Sequence, residues 1–132
     1  MKSRIWMIAA ALAMLVLSSL ACEFSASTAS IKDAYLATDD TGATKTIEYG
    51  QDQPFVFMVD LANAPDDTKV KAVWYTVDDS GKAEQFVEKE MVTGKSPITF
   101  TATNNGLWPV GKYKVELYLN DKLDRTQEFS VK

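Results

Sequence analysis

The chain contains no histidine and, in 132 residues, a single cysteine. The first absence removes the commonest general base and the commonest metal ligand together. With one cysteine, no intramolecular disulfide can form. Neither a Ser–His nor a Cys–His nucleophile pair can be assembled, and a His/Cys zinc cluster is excluded. No glycine-rich phosphate loop, internal repeat or low-complexity segment occurs. Basic charge is also scarce. Lys2 and Arg4 sit in the first 21 residues, which hold no acid, so the remaining 111 residues carry 12 basic and 18 acidic side chains, a formal charge of −6. Phosphate binding needs a basic stripe, so this balance argues against nucleic acid as a partner. The same sign repels anionic lipid headgroups. No cofactor is indicated, and the expectation is a chain that is not an enzyme.

What is present begins with a three-part leader. Lys2 and Arg4 precede an uncharged apolar run from Ile5 to Leu17, and Ser18-Ser19-Leu20-Ala21 lead with small residues into Cys22. The run spans roughly 20 Å as a helix, short of a hydrocarbon core of about 30 Å, so it reads as a signal peptide rather than a span. Ala21 followed at once by Cys22 resembles the bacterial lipobox, although Ser19 stands where that pattern prefers leucine. The resemblance implies cleavage before Cys22, a diacylglyceryl group on its thiol and an acylated (palmitate-type) N-terminus. Two or more acyl chains hold a protein stably where one binds only marginally. Glu23, not being aspartate, permits delivery to the outer membrane by the same resemblance. The expected layout is a signal over 1–21, a lipid-attached tether over 22–30 and one domain over 31–132. The expected location is a cell membrane or outer membrane, lipid-anchored, with the domain on the extracytoplasmic side.

From residue 31 the hydropathy alternates with period two, interrupted by turn signals. Tyr113, Val115, Leu117 and Leu119 share one face, opposite Lys112, Lys114, Glu116 and Tyr118. Asn120-Asp121-Lys122 then turns the chain into Arg125–Val131, with Phe129 and Val131 inward, making a hairpin. Phe55, Phe57, Val59 and Leu61 define another strand; Val70, Ala72 and Trp74 a third; Ile98, Phe100 and Ala102 a fourth. Residues 84–93 are extended, but Lys89 interrupts either choice of buried face. Residues 31–38 and 45–49 supply one or two more strands. Seven or eight short strands in about 100 residues predict an all-β fold, a single two-sheet antiparallel sandwich, with an up-and-down barrel as the rival.

Trp74 and the segment Trp108-Pro109-Val110-Gly111-Lys112-Tyr113-Lys114-Val115, followed by the closing Phe129-x-Val131, resemble bacterial immunoglobulin-like and fibronectin-III-like surface modules. The resemblance covers residues 31–132 and implies an immunoglobulin-like sandwich. The antibody-type cysteine pair is absent.

Two kinds of candidate site remain. Asp39-Asp40, Asp66-Asp67 and Asp78-Asp79 are acidic pairs at turn positions. Ca²⁺ binding would use such oxygens, but the spacing fits no EF-hand loop and turn formation is the better account of them. If Trp74 points inward, Val73, Tyr75 and Val77 point outward, and a neighbouring strand 112–119 adds Tyr118 to that face. These four residues form a candidate partner-binding patch for an envelope protein or glycan. Trp108 is expected to plug one end of the core. The functional expectation is a non-catalytic, lipid-anchored binding or accessory module of the bacterial cell envelope, joined to the membrane through Cys22. The alternatives are a structural or hydrolase-inhibitor-like module presenting loops 62–68 or 104–108, and a Ca²⁺-binding or carboxylate-dependent enzyme.

Overall fold

A computed structural model describes residues 28–132. The expected signal, Cys22 and most of the tether lie outside the described residues. The eight strands are β1 (Ser30–Ala37), β2 (Glu48–Tyr49), β3 (Phe55–Ala62), β4 (Lys69–Val77), β5 (Ala83–Val92), β6 (Ile98–Ala102), β7 (Gly111–Leu119) and β8 (Lys122–Val131). They form a small sheet in the order β1-β3-β6 and a large one in the order β2-β8-β7-β4-β5. Every pairing is antiparallel except that of β2 with β8. Two separate sheets enclosing one core make this a sandwich with immunoglobulin-like strand order, and set the barrel aside.

The predicted inward faces are the buried ones. Phe55, Phe57, Val59 and Leu61 of β3, together with Ile98 and Phe100 of β6, meet Val70, Ala72 and Trp74 of β4, Val115 and Leu117 of β7, and Phe129 of β8. Aromatic rings fill the space between sheets where a cystine is absent. Phe55 stacks on Trp108 at 4.2 Å between ring centres and lies 5.9 Å from Trp74 and 4.8 Å from Phe129. Trp74 is fully buried, and its indole Nε1 has no hydrogen-bond partner among the described residues.

Trp108 closes one end, as expected. Its backbone N–H donates to Gln51 O at 2.8 Å, its indole N–H to Gln53 O at 2.8 Å, and its carbonyl accepts from Gln51 Nε2 at 2.9 Å. Five residues on, the Tyr113 hydroxyl donates to Pro109 O at 2.6 Å. A tyrosine near the start of the penultimate strand, bonded to backbone a few residues upstream, is the corner that marks immunoglobulin-type sandwiches. At the other end of β7, Asn120 and Asp121 both take positive φ (49° and 68°), the conformation a two-residue hairpin turn requires.

Residues 38–47 carry the chain from the small sheet to the large one across the outer face of the former. Tyr35 donates its hydroxyl hydrogen to Gly42 O at 3.1 Å, and Gly42 itself has φ +69°. A Cβ on Gly42 would lie 2.8 Å from Tyr35 Oη and 3.1 Å from Met58 Cε, so glycine is required by both conformation and space. Under this crossover Ala37, Val56 and Met58 form a second, smaller core. Tyr49 of β2 reaches back between the sheets. Its hydroxyl donates to Ala37 O at 2.7 Å and accepts from Val56 N at 3.4 Å. Burial pushes that hydroxyl up to about 12, although the backbone bonds to Val56 and Ala37 pull it down.

Candidate functional site

The acidic pairs sit in turns, and two of them spend carboxylate oxygens on their own backbone. Asp39 Oδ1 accepts from the Thr41 N–H and hydroxyl. Asp78 Oδ1 accepts from the Ser80 hydroxyl at 2.6 Å, the Ser80 N–H at 3.0 Å and the Lys82 N–H at 2.8 Å. The Ser80 hydroxyl first, then the Lys82 N–H, hold the Asp78 carboxyl below its usual range. Beside Asp66-Asp67, the Thr68 N–H donates to Pro65 O. Among the described residues no three metal-capable side chains converge.

The four patch residues do share the outer face of the large sheet, because β4 pairs with β7 and alternation sends each of them outward. They do not form an open apolar surface. Val73 is only 4% exposed, and Tyr75, Val77 and Tyr118 are half-buried. The register explains the cover. Lys71 lies directly opposite Tyr118, and Lys114 directly opposite Tyr75. Each ammonium rests over the ring across from it, at 4.8 Å for Lys71 on Tyr118 and 4.9 Å for Lys114 on Tyr75. This is cation–π geometry. Val73 is thus buried on this face, and the two rings are capped by the lysines across from them.

Glu116 ties the cluster together. It accepts from the Tyr118 hydroxyl at 3.3 Å and lies 3.8 Å from Lys114 Nζ, while Lys71 Nζ lies 3.4 Å from Glu88 Oε1. Burial first, and then the Glu116 carboxylate, push the Tyr75 hydroxyl up to about 12. Lys71, Lys114 and Glu116 are the members missing from the predicted patch: alternation sets Lys114 and Glu116 on the face of Tyr118 but does not show which residues lie across from the rings. The cross-strand register was the signal that would have found them. Lys69 and Lys112 extend the same two rows. Glu88, Glu90, Glu116 and Glu128 face the four lysines, and Asp121 ion-pairs Lys69 at 3.2 Å, so this face has no cationic excess.

No known family model and no curated protein matches the chain. Among solved structures, it is similar to the Pseudomonas fluorescens alkylpurine DNA glycosylase AlkC, determined bound to DNA containing an abasic site analog. The likeness has a TM-score of 0.51 and 14% identity, over 80% of this chain and 31% of that one. At that identity the likeness is one of fold, and this chain spans about a third of the length of the glycosylase. Two expectations are corrected by it. The fold occurs in a DNA repair enzyme, so it does not mark a non-catalytic module of the cell envelope. That enzyme was determined on DNA, so the exclusion of nucleic acid, drawn from net charge alone, is withdrawn. Net charge averages over the whole surface, whereas phosphate meets one face.

Proposed function

We propose that the domain is a nucleic-acid-contacting unit and that the outer face of β4 and β7 is its contact surface. The observation that carries this reading is the pairing of Lys71 with Tyr118 and of Lys114 with Tyr75. Each ammonium also lies beside a carboxylate, Lys71 by Glu88 at 3.4 Å and Lys114 by Glu116 at 3.8 Å, so a phosphate competes with both ring and carboxylate for it, and the uncovered ring is then a stacking platform for a base. The shared fold with a glycosylase determined on DNA supports the ligand class. The face carries few cations, so contact is weak and sequence-independent. Two to four phosphate contacts give a slope of log K against log salt between about −1.4 and −3 on a single strand.

The test is fluorescence anisotropy with labelled single-stranded DNA and with duplex DNA containing an abasic site, titrated at several salt concentrations. Lys71→Ala with Lys114→Ala should weaken binding and lower the slope by about 1 to 2. Absence of saturable binding at low salt, or an unaltered slope in the double variant, rejects the reading.

The N-terminus is the subject of a separate proposal. The positive Lys2 and Arg4, the apolar run and the Ala21-Cys22 junction support export and acylation at Cys22, with the domain outside the cytoplasm. Mass analysis of the N-terminal peptide of the cell-derived protein decides it, since an unmodified thiol at position 22 is incompatible with the proposal.

A further inference from the structure

The two sheets differ in width, and the mismatch leaves a strand-sized gap. Arg125 of β8 bonds Ile31 O of β1 at 3.3 Å, which places β1 over the β8 side of the large sheet. The order β1-β3-β6 therefore sets β6 toward β4, and β5 lies beyond it. β6 pairs with β3 alone, and its other edge has no strand partner among the described residues. The core-side face of β5 is correspondingly bare. Lys89 pairs with the fully buried Ala72, and Met91 with the fully buried Val70, yet Lys89 is exposed and Met91 is 42% exposed. Phe86, at the bulge in β5, covers only the upper end, against Trp108 and Tyr113. The connection from β5 to β6 does not fill the gap. It runs along the lower end, where Gly94 packs against the Ala64–Pro65 backbone and Ser96 Oγ accepts from Leu61 N at 2.9 Å.

We infer that this gap receives one extended segment of a partner protein, added as a fourth strand beside β6 and lying on β5. The inference goes beyond the proposed nucleic-acid contact, which uses the opposite face of the large sheet. Charge fixes the chemistry of the occupant. β6, Ile98-Thr99-Phe100-Thr101-Ala102, carries no charged residue to deter pairing, whereas the free edge of β5 is guarded by Glu84, Glu88 and Glu90. Lys89 has no ion pair among the described residues and projects into the gap. The segment therefore presents apolar side chains to Val87 and Met91 and one carboxylate to Lys89. A second copy pairing β6 to β6 is excluded sterically, because each copy's β5 would occupy the place of the other's β4.

The probe is a synthetic peptide alternating valine and threonine, with one glutamate at the central inward position, and a twin with lysine there. Binding to the domain is followed by amide hydrogen exchange. The expected result is slowed exchange within Ile98–Ala102, with the glutamate peptide favoured about twofold to fivefold over its twin, a preference that Lys89→Glu reverses. Slowed exchange confined to β5, no change up to the solubility limit of the peptide, or no discrimination between the peptides overturns the inference. Slowing that grows with protein concentration in the absence of peptide overturns it in favour of self-association.

Discussion

Replacing Tyr49 with phenylalanine removes one oxygen atom and tests how the two sheets are tied. The ring stays in place between Phe55 at 5.1 Å and Phe129 at 5.7 Å, so the packing is retained. What disappears is the donor to Ala37 O and the acceptor for Val56 N, both fully buried residues of the small sheet. A hydrogen bond of this kind contributes about 1 kcal/mol net, and a buried peptide group left without its partner costs about 1–3 kcal/mol. Allowing for the lower desolvation cost of phenylalanine, the expected loss is about 2 kcal/mol. In urea, with a slope of about 1.3 kcal/mol per molar for a domain of this size, the midpoint should fall by about 1.5 M at unchanged slope. The melting temperature should fall by about 9 °C. A loss under about 0.5 kcal/mol would refute the reasoning, since the hydroxyl would then contribute no more than a solvent-exposed one. Double-mutant analysis is unnecessary, because the ring contacts serve as their own control.

Alkali should act on the same group. Tyr49 titrates near 10 in the unfolded chain and near 12 in the folded one. The folded state therefore keeps its proton longer, the stability is intact below about pH 10, and it falls by roughly 1.4 kcal/mol per pH unit between 10 and 12; denaturant midpoints across that window should drop less steeply in Tyr49→Phe. Gly81→Ala isolates backbone strain. Gly81 has φ +86° with nothing within 4 Å of an added Cβ, so a loss of about 1–2 kcal/mol in thermal unfolding is expected, and a neutral result would mean the turn relaxes to negative φ. Trp108→Ala should cost about 3–5 kcal/mol and free the Gln51 and Gln53 loop, seen as faster amide exchange at Trp108's neighbours; a smaller effect would show that Phe55 finds another stacking partner.

The strands with one face on the core were legible from alternation, and the hairpin of β7 and β8 was the plainest of them. Two features were not. β5 defied assignment because Lys89 interrupts its pattern, and the reason is physical: its core-side face overhangs the small sheet, so burial never imposed a period. Val56 and Met58 alternate with the core face of β3, yet both are buried, because the crossover 38–47 covers them from a distance along the chain that no local pattern records. The candidate site was half legible. Alternation correctly placed Val73, Tyr75, Val77 and Tyr118 on one face. What it could not convey is that register lays Lys71 and Lys114 across the two rings, which turns an apolar patch into a closed surface of paired lysines and carboxylates.

The parallel seam between β2 and β8 has a mechanical consequence. The chain's early strand and its last strand lie side by side and point the same way, fastened by Ser130 N to Ile47 O and Lys132 N to Tyr49 O, each at 3.0 Å. Tension applied between the beginning of β2 and the end of β8 would slide these strands along one another, loading the bonds together rather than peeling them singly. The domain is thereby built to withstand a pull along its length far better than one directed across its edge.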